Sequence, residues 1–531
     1  MHYLFGNPGS TELPLIDALA GADDLHYVLA LQEATAVAMA DGYAQASGRP
    51  AFLNLHTSAG LGNAIGNLTN AQANRAPLVV TAGQQDVRHL YADPLLAGDL
   101  VGLARPVSKW AHEVRTPSEV PIMLRRAFHD AASPPAGPVF VSLPMSILEY
   151  EGDVDVPPPS AIRGAAVPTP DVLAELADQL NSVEPGRLAV VVGDEVGASA
   201  AAVTAAVALA ERLNAPVFAG PLHSTGVFPP GHPCFAGVLP PTAAGMRAAL
   251  APYRRVAILG GRVLMAYPYT DGSALPDGIE VIHVSPDPAQ VGRWFAAGFG
   301  VVADVGATMQ AVLPLLVDRT GDLGARREER EAEIGRLESA ARDRYGASPI
   351  EPMAAGHALV RSLPPDSVVV DEAITTGTYV RGFHHWTTPG RYYFCKGGGL
   401  GWGMPAALGV SLALEQTPIL CVVGDGSAMY SPQALWTAAR ENLPVVFAVV
   451  NNRQYLILKR NLRQMKGQTI TSGRYVAMDL DRPPVDYVGL SRAMGVDATL
   501  VTTAGDIGDA VRAALASGRP HLLEIPIAAT S

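Results

Sequence analysis

Between Pro418 and Asn452 the chain reads strand, Gly-Asp-Gly-Ser, helix, strand, Asn-Asn, and few architectures accommodate that order. The runs Pro418-Ile-Leu-Cys-Val-Val423 and Pro444-Val-Val-Phe-Ala-Val-Val450 are apolar and β-branched, so both read as strands buried on two faces. Ser431 to Asn442 carries a helical pattern (Leu435, Trp436, Ala439), with Ser431 placed as its cap. A right-handed strand–helix–strand crossover makes the two strands parallel, so Asp425 and Asn452 emerge at the same edge of the sheet. One carboxylate, one amide oxygen and a nearby main-chain carbonyl supply part of the hard oxygen octahedron that Mg2+ prefers, which it usually shares with phosphate oxygens. The N–H groups of Gly426 and Ser427, at the following helix start, suit a phosphate. A lone Gly-Asp-Gly is as often a tight turn. Paired with Asn-Asn, each at the end of a buried strand, it specifies a metal-bridged diphosphate site.

Bulk properties set the frame for that motif. With 531 residues the chain is too long for one core, so two to four domains are expected. It is 48% hydrophobic and 17% charged, which fits α/β layers with long buried strands. A net charge of −12 argues against nucleic acid or an anionic membrane as the main partner. Cys234, Cys395 and Cys421 lie far apart, with neither metal-type spacing nor a disulfide framework, so the expected compartment is a reducing cytoplasm. No apolar run is long enough to suggest a membrane span, and no signal peptide is expected. Two stretches read as linkers. Gly152 to Pro170 holds Pro157-Pro158-Pro159, Pro168 and Pro170, and Arg319 to Pro352 is a charged, solvated helix that ends at Pro349 and Pro352. The expected division is therefore 1–156, 168–320 and 350–531, each part a doubly wound parallel α/β domain. Tyr27–Leu31, Pro50–Leu55 and Pro77–Thr81 read as strands of the first part. Leu188–Val192 with Gly193, and Val256–Leu259 with Gly260-Gly261, read as nucleotide-type strand ends of the second. They do not spell GxGxxG, and a structural domain is the reading preferred over a second nucleotide site.

The Asp425/Asn452 pattern resembles the diphosphate motif of thiamine diphosphate (ThDP) enzymes. That resemblance implies Asp425, the Asn452 side chain and the Gln454 main-chain carbonyl as metal ligands. Such an enzyme needs a glutamate in an apolar place, hydrogen-bonded to the aminopyrimidine ring to set its tautomer. Glu33 fits: it follows the strand Tyr27–Leu31 and opens the small-residue helix Ala34-Thr-Ala-Val-Ala-Met-Ala40, although a carboxylate at a helix start is also favoured by the dipole alone. Gly6-Asn-Pro-Gly-Ser10-Thr-Glu-Leu-Pro14, Ala30-Leu-Gln-Glu33-Ala, Asn54-Leu-His56-Thr-Ser-Ala-Gly60, Thr81-Ala-Gly-Gln-Gln85, Tyr392-Tyr-Phe-Cys395 and Gly398-Gly-Leu-Gly401 together look like the benzoylformate decarboxylase family, within the ThDP decarboxylase and acetolactate synthase superfamily. The match covers nearly the whole chain, densely at both ends and sparsely in the middle.

The resemblance implies pyrimidine-binding, middle and diphosphate-binding domains, and a homo-oligomer, a dimer of dimers, with each active site between two subunits. It implies ThDP and Mg2+ as cofactors and a small 2-oxo acid as substrate. Glu33 becomes the pyrimidine activator, and Ser10 and His56 the groups that bind the substrate carboxylate and move protons. Gly398 offers its carbonyl to the aminopyrimidine, and Leu400 supports the bent cofactor. Ser10 alone could equally cap a helix, and His56 alone could be a strand-end histidine satisfied by backbone. FAD in the middle domain, found in some relatives, has no motif that requires it here. Met1–Phe5 reads as the end of a strand, which in the family a helix precedes; either the start is internal or the chain does without that helix.

The match breaks in two places. The family's second catalytic histidine would fall in Leu264-Met-Ala-Tyr267-Pro-Tyr269, which holds none. Tyr267 is its nearest partner, and an ordinary phenol titrates near 10, too high to relay protons as imidazole does. The late proton transfer, or aldehyde release, should suffer most. That leaves open a carboligase of acetolactate synthase or benzaldehyde lyase type, or a catalytically silent subunit of the same fold. The substrate wall also differs: Ile457 stands where the family has a small residue and Asn461 where it has an aromatic. Phe394, Leu95 and Leu96 match the apolar pocket. Lys396, Lys459 and Arg460 add polarity, unless they form a solvated face. An aliphatic or polar-tailed 2-oxo acid is expected to fit better than a phenyl one.

Overall fold

The structure, a computed structural model, describes residues 2–158, 164–320, 323–415, 417–465 and 467–529. Pro159 and the next four residues of the first expected linker, Gly321 and Asp322 of the second, and Met1 lie outside the described residues. By contacts the chain forms two units, Met1–Ser160 with Ala341–Phe383 and Cys395–Ser531, and Ala161–Ala340 with His384–Phe394.

The long apolar runs become three six-stranded parallel sheets with helices on their faces, as expected for doubly wound layers. The first uses β1 (Tyr3–Gly6), β2 (His26–Leu29), β3 (Ala51–Leu55), β4 (Leu78–Gln84), β5 (Ala111–Glu113) and β6 (Val139–Pro144), in the order β2-β1-β3-β4-β6-β5. The second uses β7 (Leu188–Val192), β8 (Val217–Ala219), β9 (Phe235–Val238), β10 (Arg255–Leu259), β11 (Glu280–Ser285) and β12 (Phe299–Val302), in the order β12-β11-β10-β7-β8-β9. The third uses β13 (Val368–Glu372), β14 (Tyr392–Phe394), β15 (Ile419–Gly424), β16 (Val445–Asn451), β17 (Asp497–Leu500) and β18 (His521–Pro526), in the order β14-β13-β15-β16-β18-β17.

Counted from its own first strand, the third sheet repeats the order of the first, 2-1-3-4-6-5. The order reverses between β1 and β3 in one and between β13 and β15 in the other. Ligands of open parallel sheets bind in the crevice beyond such a reversal. The residues that leave these strands are Asn7 after β1, His56 after β3 and Asp425 after β15.

Within the first unit, the helix Glu33–Ser47 packs along Gly403–Ala413. A Cβ at Gly409 would lie 1.9 Å from the Met39 carbonyl oxygen, and one at Gly42 would lie 2.2 Å from that of Ala406. The alanine- and glycine-rich sequence of both helices is what lets their backbones touch. The charged stretch forms the helix Leu323–Arg342, of which only Ala341 is buried. Two local expectations fail. The crossover between β15 and β16 holds two helical pieces, Asp425–Ala428 and Gln433–Arg440. Ser431 does not cap the second: Pro432 holds that position, and the buried Ser431 hydroxyl has no hydrogen-bond partner.

Candidate active site at the strand ends

Gly424 pairs with Val450 in the β15–β16 ladder, so Asp425 and Asn451-Asn452 leave the sheet side by side. Asp425 is 4% exposed. Burial raises its carboxyl to about 6, against the opposing pull of the Gly426, Arg453 and Gln454 N–H groups. Its Oδ2 is buried without a hydrogen-bond partner. A bare carboxylate oxygen in that setting costs several kcal/mol unless a cation or a proton meets it. Tyr487, itself buried, donates its hydroxyl to the Asp425 main-chain carbonyl (2.7 Å) and so fixes the turn. The Asn452 Oδ1 accepts the Gln454 N–H (3.0 Å), and the Gln454 carbonyl accepts the Leu456 N–H (2.9 Å). Each of these oxygens keeps a further lone pair.

Among the described residues no cluster of three His, Cys, Asp or Glu could hold a metal. A cation here therefore needs amide, main-chain and non-protein oxygens to complete its shell. That donor set, with the orphaned Oδ2, fits Mg2+ bridged to a diphosphate.

At the ends of the first sheet a second cluster forms. Glu33 opens its helix and is 7% exposed. Its surroundings are more polar than expected: it accepts from Asn63 Nδ2 (3.1 Å) and Asn7 Nδ2 (3.4 Å). Two neutral amides hold the carboxyl group in place, and in its protonated form it can donate to a ring nitrogen. His56 follows β3 and is the N-terminal cap position of the helix Thr57–Asn74. Its Nδ1 lies 2.8 Å from the Glu12 carboxylate. Glu12 is fully buried and also accepts from Thr11 Oγ1 (2.6 Å) and the Gly83 N–H (2.8 Å). A carboxylate only accepts, so the proton of a neutral His56 sits on Nδ1 and Nε2 is the nitrogen left to exchange protons. Gly9 is required here, because a Cβ on it would lie 1.9 Å from His56 Nδ1. Ser10 is exposed and opens the short 3-10 turn Ser10–Glu12, with no side-chain cap bond. It is therefore not a cap.

Nothing in the local sequence marks Glu12, because its partner His56 lies 44 residues away. Asn7 and Asn63 were likewise unforeseen.

Gly398 is exposed with φ +77°, and Leu400 is half-buried beside it. Of the pocket candidates, Leu95 is exposed, Leu96 is half-buried at φ +69°, and Ile457 and Asn461 are half-buried on the helix Leu456–Met465. In the other unit, Phe394 is buried and Tyr267 is exposed. The solvated-face alternative fails for two lysines. Lys459 is buried in an ion pair with Asp479, with its ammonium over the Tyr475 ring, and Lys396 is buried as well. Lys459 thus spends its charge on Asp479.

Residues 1–101 match the N-terminal TPP binding domain of thiamine pyrophosphate enzymes, 173–312 their central domain, and 375–525 their C-terminal TPP binding domain. The chain belongs to the thiamine pyrophosphate enzyme family. Its relatives are more particular. Benzoylformate decarboxylase of Pseudomonas aeruginosa is 36% identical over 529 residues, spanning 98% of this chain and 95% of that protein. The crystal structure of benzoylformate decarboxylase from Polynucleobacter necessarius superposes with a TM-score of 0.89 at 30% identity, covering 100% of this chain and 96% of that one. A putative acetolactate synthase large subunit of Mycobacterium tuberculosis is 30% identical over 544 residues, spanning 98% of this chain and 95% of that protein. No helix among the described residues is long and apolar enough to cross a membrane.

Proposed function

We propose that this chain is a ThDP- and Mg2+-dependent 2-oxo acid decarboxylase of the benzoylformate decarboxylase type, which releases CO2 without oxidation and leaves an aldehyde. The observation that carries the metal site is the buried, unpartnered Oδ2 of Asp425 at the meeting of two parallel strand ends. Asp425, Asn452 Oδ1 and the Gln454 carbonyl hold Mg2+, and the Gly426 and Ser427 N–H groups meet the diphosphate. Bound ThDP would supply the electron sink that decarboxylation requires. Glu33 hydrogen-bonds the pyrimidine nitrogen and exchanges a proton there. The Gly398 carbonyl would accept from the aminopyrimidine, and Leu400 would support the cofactor. Ser10 binds the substrate carboxylate. His56, oriented by Glu12 through Nδ1, delivers and removes protons at Nε2. With no histidine between Leu264 and Tyr269, His56 is the imidazole on which proton transfer depends. Leu95, Leu96, Ile457 and Asn461 line the substrate pocket, with Ile457 narrowing it and Asn461 adding polarity.

The working form is a cytoplasmic homotetramer built as a dimer of dimers, with pyrimidine-binding (1–156), middle (168–320) and diphosphate-binding (350–531) domains and each site shared by two chains. A panel of aromatic, branched aliphatic and polar-tailed 2-oxo acids tests this reading on Mg2+- and ThDP-loaded protein, with Glu33→Gln as the blank. CO2 and free aldehyde from at least one acid are expected. Acyloin without free aldehyde would move the assignment to a carboligase. Failure to take up ThDP in the presence of Mg2+ would overturn it altogether.

A further inference from the structure

The loop that carries Gly398 and Leu400 is held by an asparagine on another sheet's helix. Asn70 lies on the helix Thr57–Asn74 and is fully buried. Its Nδ2 donates to the Gly399 carbonyl (2.9 Å), and its Oδ1 accepts the Gly399 N–H (2.9 Å). One side-chain amide thus satisfies both main-chain groups of the residue between the two proposed cofactor contacts. The fit is close: a Cβ at Gly397 would lie 2.4 Å from Asn70 Oδ1, and one at Gly399 2.9 Å from Asn70 Nδ2. The glycine run is thereby matched to this side chain. Asn70 is held in turn by its neighbours. Nδ2 also donates to Asn67 Oδ1 (2.7 Å), and Asn67 Nδ2 donates to the carbonyl of Ala34, the residue after Glu33 (2.7 Å). One turn on, Asn74 Oδ1 accepts the Lys396 N–H (3.1 Å). These contacts fix the side-chain orientation of Asn70, so its amide cannot turn without breaking the ladder.

We propose that Asn70 is a positioning residue: its paired bonds to Gly399 set the direction of the Gly398 carbonyl and the height of Leu400 for the cofactor. The proposal rests on the reading of Gly398 and Leu400 as cofactor contacts. Neither bond can be made by alanine, and aspartate would turn an acceptor oxygen toward the Gly399 carbonyl.

The test uses full-length protein and follows ThDP binding at saturating Mg2+ by calorimetry, beside thermal unfolding of the cofactor-free protein. Wild type is measured first, because its failure to bind would remove the functional reading and not this inference. Given wild-type binding, Asn70→Ala and Asn70→Asp are each expected to weaken ThDP binding by about tenfold or more, the size of a lost hydrogen-bond pair. Asn74→Ala serves as the structural control. It breaks a bond to the same chain segment outside the Gly398–Leu400 loop, and is expected to lower the unfolding temperature while changing ThDP affinity less than threefold. Equal ThDP affinity in wild type and folded Asn70→Ala would overturn the proposal. So would equal loss of affinity in Asn70→Ala and Asn74→Ala, since Asn70 would then contribute only packing. Should Asn70→Ala not fold, Asn70→Asp and Asn70→Ser carry the same comparison.

Discussion

The middle and C-terminal sheets end in nearly the same words, Gly193-Asp-Glu after β7 and Gly424-Asp-Gly after β15, and resolve them in opposite ways. In the middle sheet the order reverses where β7 and β10 lie side by side, a place where parallel sheets commonly take a nucleotide. There the chain uses its own carboxylates. Asp194 Oδ1 accepts the Ser224 N–H (2.6 Å), and Glu195 Oε1 accepts the Gly261 N–H (2.9 Å). The backbone donor a phosphate would seek is filled by Glu195. In the C-terminal sheet the Asp425 Oδ2 is buried with no protein donor at all. A glycine-acid strand end does not by itself mark a ligand site; what sets Asp425 apart is a buried acid oxygen that the fold leaves unsatisfied.

The sharpest way to break this contrast is to remove each acid. Asp425→Ala is expected to weaken Mg2+-dependent ThDP binding beyond about 100-fold, the scale of about 3 kcal/mol lost with a buried charge partner. Glu195→Ala is expected to leave that binding unchanged and to cost about 1–2 kcal/mol of stability through the stranded Gly261 N–H. Parallel titration calorimetry and urea unfolding check both.

Acidity sharpens it further. Burial raises Asp425 to about 6 in the folded chain. The folded state therefore holds a proton that the unfolded state releases near 4, so this group stabilises fully below that value and its contribution is lost as pH rises through about 6. Metal-free protein should lose up to about 3 kcal/mol from this group between pH 4 and 7. The loss should shrink in Asp425→Asn, as read from unfolding curves across that range.

The first sheet provides a satisfied acid beside the histidine proposed to carry protons. Glu12→Gln keeps the volume but can present an amide hydrogen to His56 Nδ1, which favours the wrong tautomer. A fall in kcat/KM of about tenfold, with unchanged ThDP affinity, is expected from steady-state kinetics. The smallest effect belongs to Tyr487→Phe, which removes one hydroxyl from the Asp425 carbonyl. The Mg2+ concentration for half-maximal ThDP binding should rise about fivefold, near 1 kcal/mol.

The sheets and the positions of the candidate groups were legible from residue order, because those groups stand next to strand ends. Buried strands announce themselves by composition, and Asp425, Asn452, Glu33 and His56 each follow one. What stayed hidden was set by contacts between distant segments. Glu12 becomes an anchor only when β1 and β3 bring it to His56, and Asn70 reads as a polar helix residue until the Gly397–Gly399 turn is packed on it. Lys459 looked solvated because the burial of its helix depends on Asp479 and Tyr475, twenty and sixteen residues further on. Ser431 failed as a cap because Pro432, with its fixed φ, took the position.

The helix Thr57–Asn74 touches Glu33 through Asn63 and grips Gly399 through Asn70, about 10 Å apart on a single rod. The two contacts share one helix, so any displacement of the glycine turn that carried the helix with it would reach the acid, and the reverse coupling would be of equal size. If the acid and the turn of one chain serve different pockets in the assembly, the two pockets would fill with mutual bias, and the helix's asparagine ladder would be where that cross-talk could be cut.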